Sequence, residues 1–241
     1  MSRLLTQVRA ELQLVARNGE QLLLTLGIPV MLLVFFSLVD VLPTGTDDPI
    51  DFLAPGVLAL AVMSTAMVSL GIATGFERTY LVLKRLGATP LGRGRLIAAK
   101  IVAVVVVEMV QFAVLVPVSY ALGWNPDSPN WALAVAAVLV GTVAFAGIGL
   151  TMAGRLRGEV NLAAQNGLYL VLLLLGGMVV PFDKLPSVLR SVALGLPSGA
   201  LADVLREALT GMGERPGTSW IVLAGWAIVS PLVARRLFRF F

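Results

Sequence analysis

Long apolar stretches alternate with short polar ones along this chain, and the pattern predicts six membrane-crossing helices, over residues 21–42, 52–75, 97–122, 131–153, 160–180 and 219–237. Each is near or above the roughly 20 residues that the hydrocarbon core of a bilayer demands of a helix. Pro29 and Pro117 fall inside the first and third. Neighbouring helices or side chains can satisfy the carbonyls that these prolines free, so kinks rather than breaks are expected there. The fold class is an all-α polytopic membrane protein, and residues 1–241 form one transmembrane domain.

Two shorter patterns complete the outline. Within residues 1–20, Leu4, Leu5, Val8, Leu12 and Val15 recur at helical spacing while Arg3, Arg9 and Arg17 alternate with Glu11 and Glu20. This reads as an amphipathic helix on the membrane surface rather than a cleavable signal, whose apolar run would be shorter; a solvated helical tail is the alternative. Within residues 181–218, Leu185, Val188, Leu189, Val192, Ala193 and Leu196 form one helical stripe, and Leu201, Val204, Leu205, Ala208 and Leu209 form another. Pro197, Ser198 and Gly199 separate them. Asp203, Arg206 and Glu207 accompany the second stripe, so the pair is expected as a shallow hairpin at the outer interface, too short to span.

Composition supports the membrane reading: 58% of residues are hydrophobic and 13% charged, with mean hydropathy +0.91. That is far from a soluble domain. The formal charge of +4 comes from cations at the ends of apolar segments, which excludes a nucleic-acid partner in favour of the bilayer. Arg155, Arg157, Arg235, Arg236 and Arg239 join the N-terminus and the 77–100 connection on one side. The connections over 43–51 and 123–130 contain Asp47, Asp48, Asp51 and Asp127 and no cation. The positive-inside rule then predicts a multi-pass protein of the cell membrane with both termini cytoplasmic. The chain has neither Cys nor His, which removes thiolate metal sites and the commonest catalytic base.

The basic connection after the second span holds the densest chemistry: Glu77-Arg78, Leu83-Lys84-Arg85-Leu86, Thr89-Pro90, Arg93, Arg95 and Lys100. Topology anchoring alone accounts for such cations; a rigid helix that presents charge to a partner accounts for them as well. Residues 87–94 imitate the glycine spacing of a phosphate-binding loop, but Arg93 and Gly94 replace its Lys and Ser/Thr, so the chain is not expected to bind ATP itself.

Within the spans, Glu108 lies near the centre of the third, where a carboxylate is costly unless protonated, paired or hydrated, and Gln111 shares its face. These two face either the bundle interior or a substrate cavity. Asn161, Gln165, Asn166 and Tyr169 open the fifth span, where polar residues either admit a headgroup or bond between helices. Gly71-x-x-x-Gly75 and Gly149-x-x-x-Ala153 permit close helix approach. Trp124, Trp131 and Trp220 mark the outer interface.

With spans and hairpin placed, the chain resembles the permease subunits of ABC-2 type exporters. The likeness rests on the segment from Glu77-Arg78 to Lys100, on Gly176-Gly177, Pro181, Leu185-Pro186, Leu189 and Leu196-Pro197, and on the order of the six spans behind a surface helix. The resemblance implies a transport subunit rather than an enzyme, with no cofactor or metal of its own. Two such halves, identical or related, would pair and engage separate ABC ATPase subunits that hold ATP and Mg. Glu77, Arg78, Leu83, Lys84, Arg85, Leu86 and Pro90 would form the coupling helix, and Pro181, Pro186 and Pro197 would belong to an outer gate. A hydrophobic or amphipathic substrate (drug, antibiotic or lipid) would pass Glu108, Gln111, Asn166 and Tyr169. The competing class is a proton-coupled stand-alone carrier or an intramembrane enzyme built on Glu108.

Overall fold

The computed structural model describes residues 3–39, 49–87 and 92–238, and within them every regular element is a helix. Helix α1 (Arg3–Arg17) precedes α2 (Gly19–Leu38). The second span is a 31-residue stretch, Pro49–Thr79, made of α3 (Pro49–Met63), a π-helical turn (Ser64–Ser69) and α4 (Leu70–Thr79). A six-residue helix, α5 (Val82–Gly87), follows it. Then come α6 (Arg93–Ala121), α7 (Trp131–Ala153), α8 (Gly158–Leu175), α9 (Ser187–Ala193), α10 (Pro197–Thr210) and α11 (Pro216–Leu237).

Among the described residues, five helices are long and apolar enough to cross a membrane, matching the second to sixth predicted spans. The first predicted span falls on α2, a 20-residue helix, and its residues 40–42 lie outside the described residues. Pro29 and Pro117 sit within helices that run through them. A sixth crossing arises if α9 and α10 count as one span bent by 79°.

The bundle is organised around α3 and α7. α11 and α10 both pack on α7, and α10 also fills the space beside α3. Leu53, Leu60, Met63, Met67, Phe145, Leu201 and Leu205 are fully buried in this core. α10 thus lies deeper than the shallow hairpin expected from its amphipathic pattern. Two of its charged side chains, Asp203 and Arg206, are buried, Arg206 donating to carbonyls of the core and Asp203 accepting from the backbone that follows the helix.

Neighbouring helix ends collect at two poles. At one, the ends of α4, α7 and α11 and the starts of α6 and α8 come together, and this pole carries most of the cations. At the other, Asn130 caps α7 by accepting from Leu133 N, while its own N–H donates to Ala208 O of α10 at 2.7 Å. Trp124 stacks edge-on against Trp131 there, with ring centroids 6.1 Å apart.

Candidate functional site at the basic pole

After Thr79 the chain leaves the second span through Tyr80 and Leu81, the latter in the left-handed region at φ 60°. That conformation is disfavoured for a branched apolar side chain and turns α5 sharply away from α4. Leu83 is buried against Leu96 at the start of α6, with Leu86 and Phe238 packed on the pair. Lys84 and Arg85 are exposed, as are Tyr80, Leu81 and Val82. α5 is therefore pinned along one side and offers a charged and apolar surface on the other. Pro90 lies outside the described residues.

Glu77 and Arg78 occupy the root of this lever and face inward. Lys100 Nζ donates to Glu77 Oε1 at 2.7 Å and to Glu11 Oε2 at 3.0 Å, while Gln7 Nε2 donates to Glu11 Oε1 at 2.8 Å. Arg78 Nη1 donates to the carbonyls of Ala153 and Leu156, each at 3.2 Å, where α7 has run out of intrahelical partners. Thr79 Oγ1 accepts from Gly158 N at 3.1 Å. The stretch read as one coupling segment thus divides: Glu77 and Arg78 lash the lever to α1, α6 and α7, and Lys84 and Arg85 face outward.

The sequence pattern alone does not pair Lys100, set in the basic motif at the start of the third span, with Glu11, set among the alternating charges of the first helix. The signal existed: Glu11 falls on the Leu4, Val8, Val15 stripe of α1, and a carboxylate there needs a partner.

Beside the lever, a cavity of about 310 Å³ reaches from Glu77 and Lys100 toward Leu14, Leu70 and Val104. A second, of about 680 Å³, lies between α2, the second span and α8. Asn18, Thr25, Ser69, Ala73 and Phe76 line both, so the two adjoin as one cleft. Asn166 and Tyr169 face it from α8.

The opposite face of α8 is a clamp. Asn161 Nδ2 donates to Gly71 O at 2.9 Å, and Gln165 Nε2 donates to Gly149 O at 3.0 Å. A Cβ at Gly71 would run into the Gln165 amide, and one at Gly75 into the Asn161 amide. The small residues of the second span therefore admit two polar side chains from within the same chain.

Glu108 and Gln111 are buried but line neither cavity. Glu108 Oε2 accepts from Thr142 Oγ1 of α7 at 2.7 Å. Gln111 Nε2 donates to Thr25 O of α2 at 2.8 Å, and Gln111 Oε1 accepts from Thr65 Oγ1 at 2.9 Å. Of the four residues expected on a substrate path, Asn166 and Tyr169 meet at the cleft, and the other two brace helices against each other.

The model of a single family, described as ABC-2 type transporter, matches residues 3–209, which takes in both the lever and the cleft. The chain belongs to the ABC-2 type transporter family. It is also 26% identical to the candidate transport permease YvfS of Bacillus subtilis (strain 168), an alignment covering 99% of this chain and 98% of that protein. Membership makes this ABC-2 protein a multi-pass transport permease, and implies ABC ATPase partners in general terms.

At the far pole of this ABC-2 permease, Arg206 of α10 is fully enclosed. Its Nε donates to Phe52 O at 3.3 Å, and its Nη2 donates to Gly177 O at 2.5 Å and Met178 O at 3.2 Å. The guanidinium also stands 3.6 Å from the Phe52 ring centroid, a cation–π contact. Asp203 accepts from the N–H groups of Glu214 and Arg215 and from Ser219 Oγ. Pro181 and Pro197 are buried beside this knot and Pro186 is exposed.

Proposed function

We propose that this chain is the membrane-spanning half of an ATP-driven exporter that moves a hydrophobic or amphipathic substrate, such as a drug, antibiotic or lipid, by alternating access. Two permease halves pair, and separate ATPase subunits bearing ATP and Mg dock on the cytoplasmic side, which is the basic pole. The observation that carries this reading is α5: Leu83 anchors it, Glu77 and Arg78 tie its root to three other helices, and Lys84 and Arg85 remain outside. A push on such a helix moves several spans together rather than bending a loop.

The cleft between α2, the second span and α8 supports the same reading. Its lining is mostly apolar, with Asn166 and Tyr169 as polar points, which suits a greasy substrate entering sideways from the bilayer. Glu108 lies away from the cleft and is engaged by Thr142, which disfavours the stand-alone carrier.

The decisive experiment co-expresses the chain with ABC ATPase subunits of the same organism and purifies the pair. Lys84→Glu/Arg85→Glu is expected to abolish association while thermal stability stays unchanged, since neither side chain is buried. Undiminished association would count against α5 as the docking helix. A single cysteine introduced at residue 84 also reports orientation in this cysteine-free chain, and labelling from outside intact cells would overturn the assignment.

A further inference from the structure

The second span changes character halfway. From Ser64 to Ser69 it widens into a π-helical turn that contains neither proline nor glycine. A π turn carries one residue more than an α turn, and single π turns within α-helices collect at functional places. The two arms it separates meet different machinery. Phe52 in α3 lies under Arg206 at the acidic pole, and Glu77 and Arg78 in α4 hold the root of α5 at the basic pole.

Contacts from two sides hold the widened turn. Thr65 Oγ1 donates to Gln111 Oε1, and Gln111 reaches on to Thr25 O, so α2 and α6 are both tied to it. Across from these, the Met67 carbonyl sits so close to Gly149 of α7 that a Cβ there would stand 2.5 Å from it. The Thr65 hydroxyl and the Gln111 amide are buried deep in an apolar bundle. If they part, the Thr65 hydroxyl and Gln111 Oε1 lose each other while Gln111 Nε2 keeps Thr25 O, so the brace is either made or broken at that one bond.

We infer that the π turn is the hinge through which displacement of α5 reaches Arg206 and α10, and that Thr65 and Gln111 are the positioning residues that hold it. This rests on the exporter reading above. A uniform α-helix held at both poles would resist tilting as one rod; a turn with a spare residue lets α4 rotate and pass its displacement on to α3 while both keep their packing.

The test uses the full chain assembled with its ATPase in lipid nanodiscs. Spin labels on cysteines introduced at the exposed Ser128 and Met212, which face one pocket at the acidic pole, report by their distance how the end of α10 moves against the α6–α7 connection, with and without ATP and vanadate. In the wild-type complex, nucleotide is expected to shift that distance. Thr65→Val keeps the shape but loses the hydroxyl bonded in this arrangement, and should raise the shifted-to-unshifted ratio roughly fivefold, the change that loss of about 1 kcal/mol from one hydrogen bond produces, while ATP hydrolysis continues. Thr65→Ser, which keeps the hydroxyl, should restore the wild-type ratio. Deleting Ala66, which closes the turn to α-helix without moving either arm off its face, should abolish the shift.

An unchanged ratio in Thr65→Val or a full shift in the Ala66 deletion overturns the hinge, as does an equal change in Thr65→Val and Thr65→Ser. So does a wild-type complex that hydrolyses ATP without any movement at the acidic pole. A wild-type chain that binds no ATPase at all counts instead against the exporter reading.

Discussion

Lys100 Nζ stands 2.7 Å from Glu77 Oε1, so an ammonium that is 3% exposed fastens the start of the third span to the root of the lever. The same nitrogen holds Glu11 at 3.0 Å, which joins α1 to the assembly. The N-terminal helix is therefore tied to the root of α5 through Lys100 rather than a loose appendage.

Breaking this knot from its centre should be costly. Lys100→Met leaves two carboxylates without their cation and is expected to lower stability by about 3 kcal/mol, the low end for a buried pair because Glu77 keeps some contact with solvent. Adding Glu11→Gln and Glu77→Gln should recover most of the loss. Thermal unfolding followed by size-exclusion fluorescence checks both; a triple variant as unstable as Lys100→Met would show that packing, not charge, governs the site.

The α8 clamp makes a second prediction. Gly71→Ala drives a methyl group into the Gln165 amide and is expected to cost about 2 kcal/mol. In a Gln165→Ala background the same substitution should be tolerated, giving a large coupling in a double-mutant cycle. Additive effects would mean that the two residues do not meet.

At the acidic pole, Arg206→Met strips a donor from the carbonyls of Phe52, Gly177 and Met178 and should destabilise by about 3 kcal/mol. Arg206→Lys should rescue little, because an ammonium lacks the planar fork that serves Nε and Nη2 partners together and stacks on Phe52. Full rescue by Lys would reduce the site to charge alone.

Glu108→Gln distinguishes the two function classes. The amide oxygen still accepts from Thr142, so stability should change by no more than about 1 kcal/mol and ATP-driven transport should persist. Transport that survives loss of the ATPase and disappears in this variant would instead establish a carrier.

Periodicity alone was enough to mark out most of this protein. Apolar runs near 20 residues long can do little else in water but leave it, so the second to sixth spans, α1 and the break at Pro197 were readable from the chain. The short helix α5 after the second span falls within the ordered motif from Glu77 to Leu86. What no one-dimensional pattern could decide was the partner of each polar residue. Glu11 meets Lys100 across 89 positions and Phe52 meets Arg206 across 154, and such pairings exist only once helices have packed. The inward turn of α10 and the separation of Glu108 and Gln111 from the cleft followed from those pairings. The π turn did too, since Ser64 to Ser69 have no breaker of their own and the widened turn is held by Gln111 and closely packed by Gly149. Burial of apolar surface set which segments are helices; satisfaction of buried polar groups set how they meet, and that is a property of the assembled bundle.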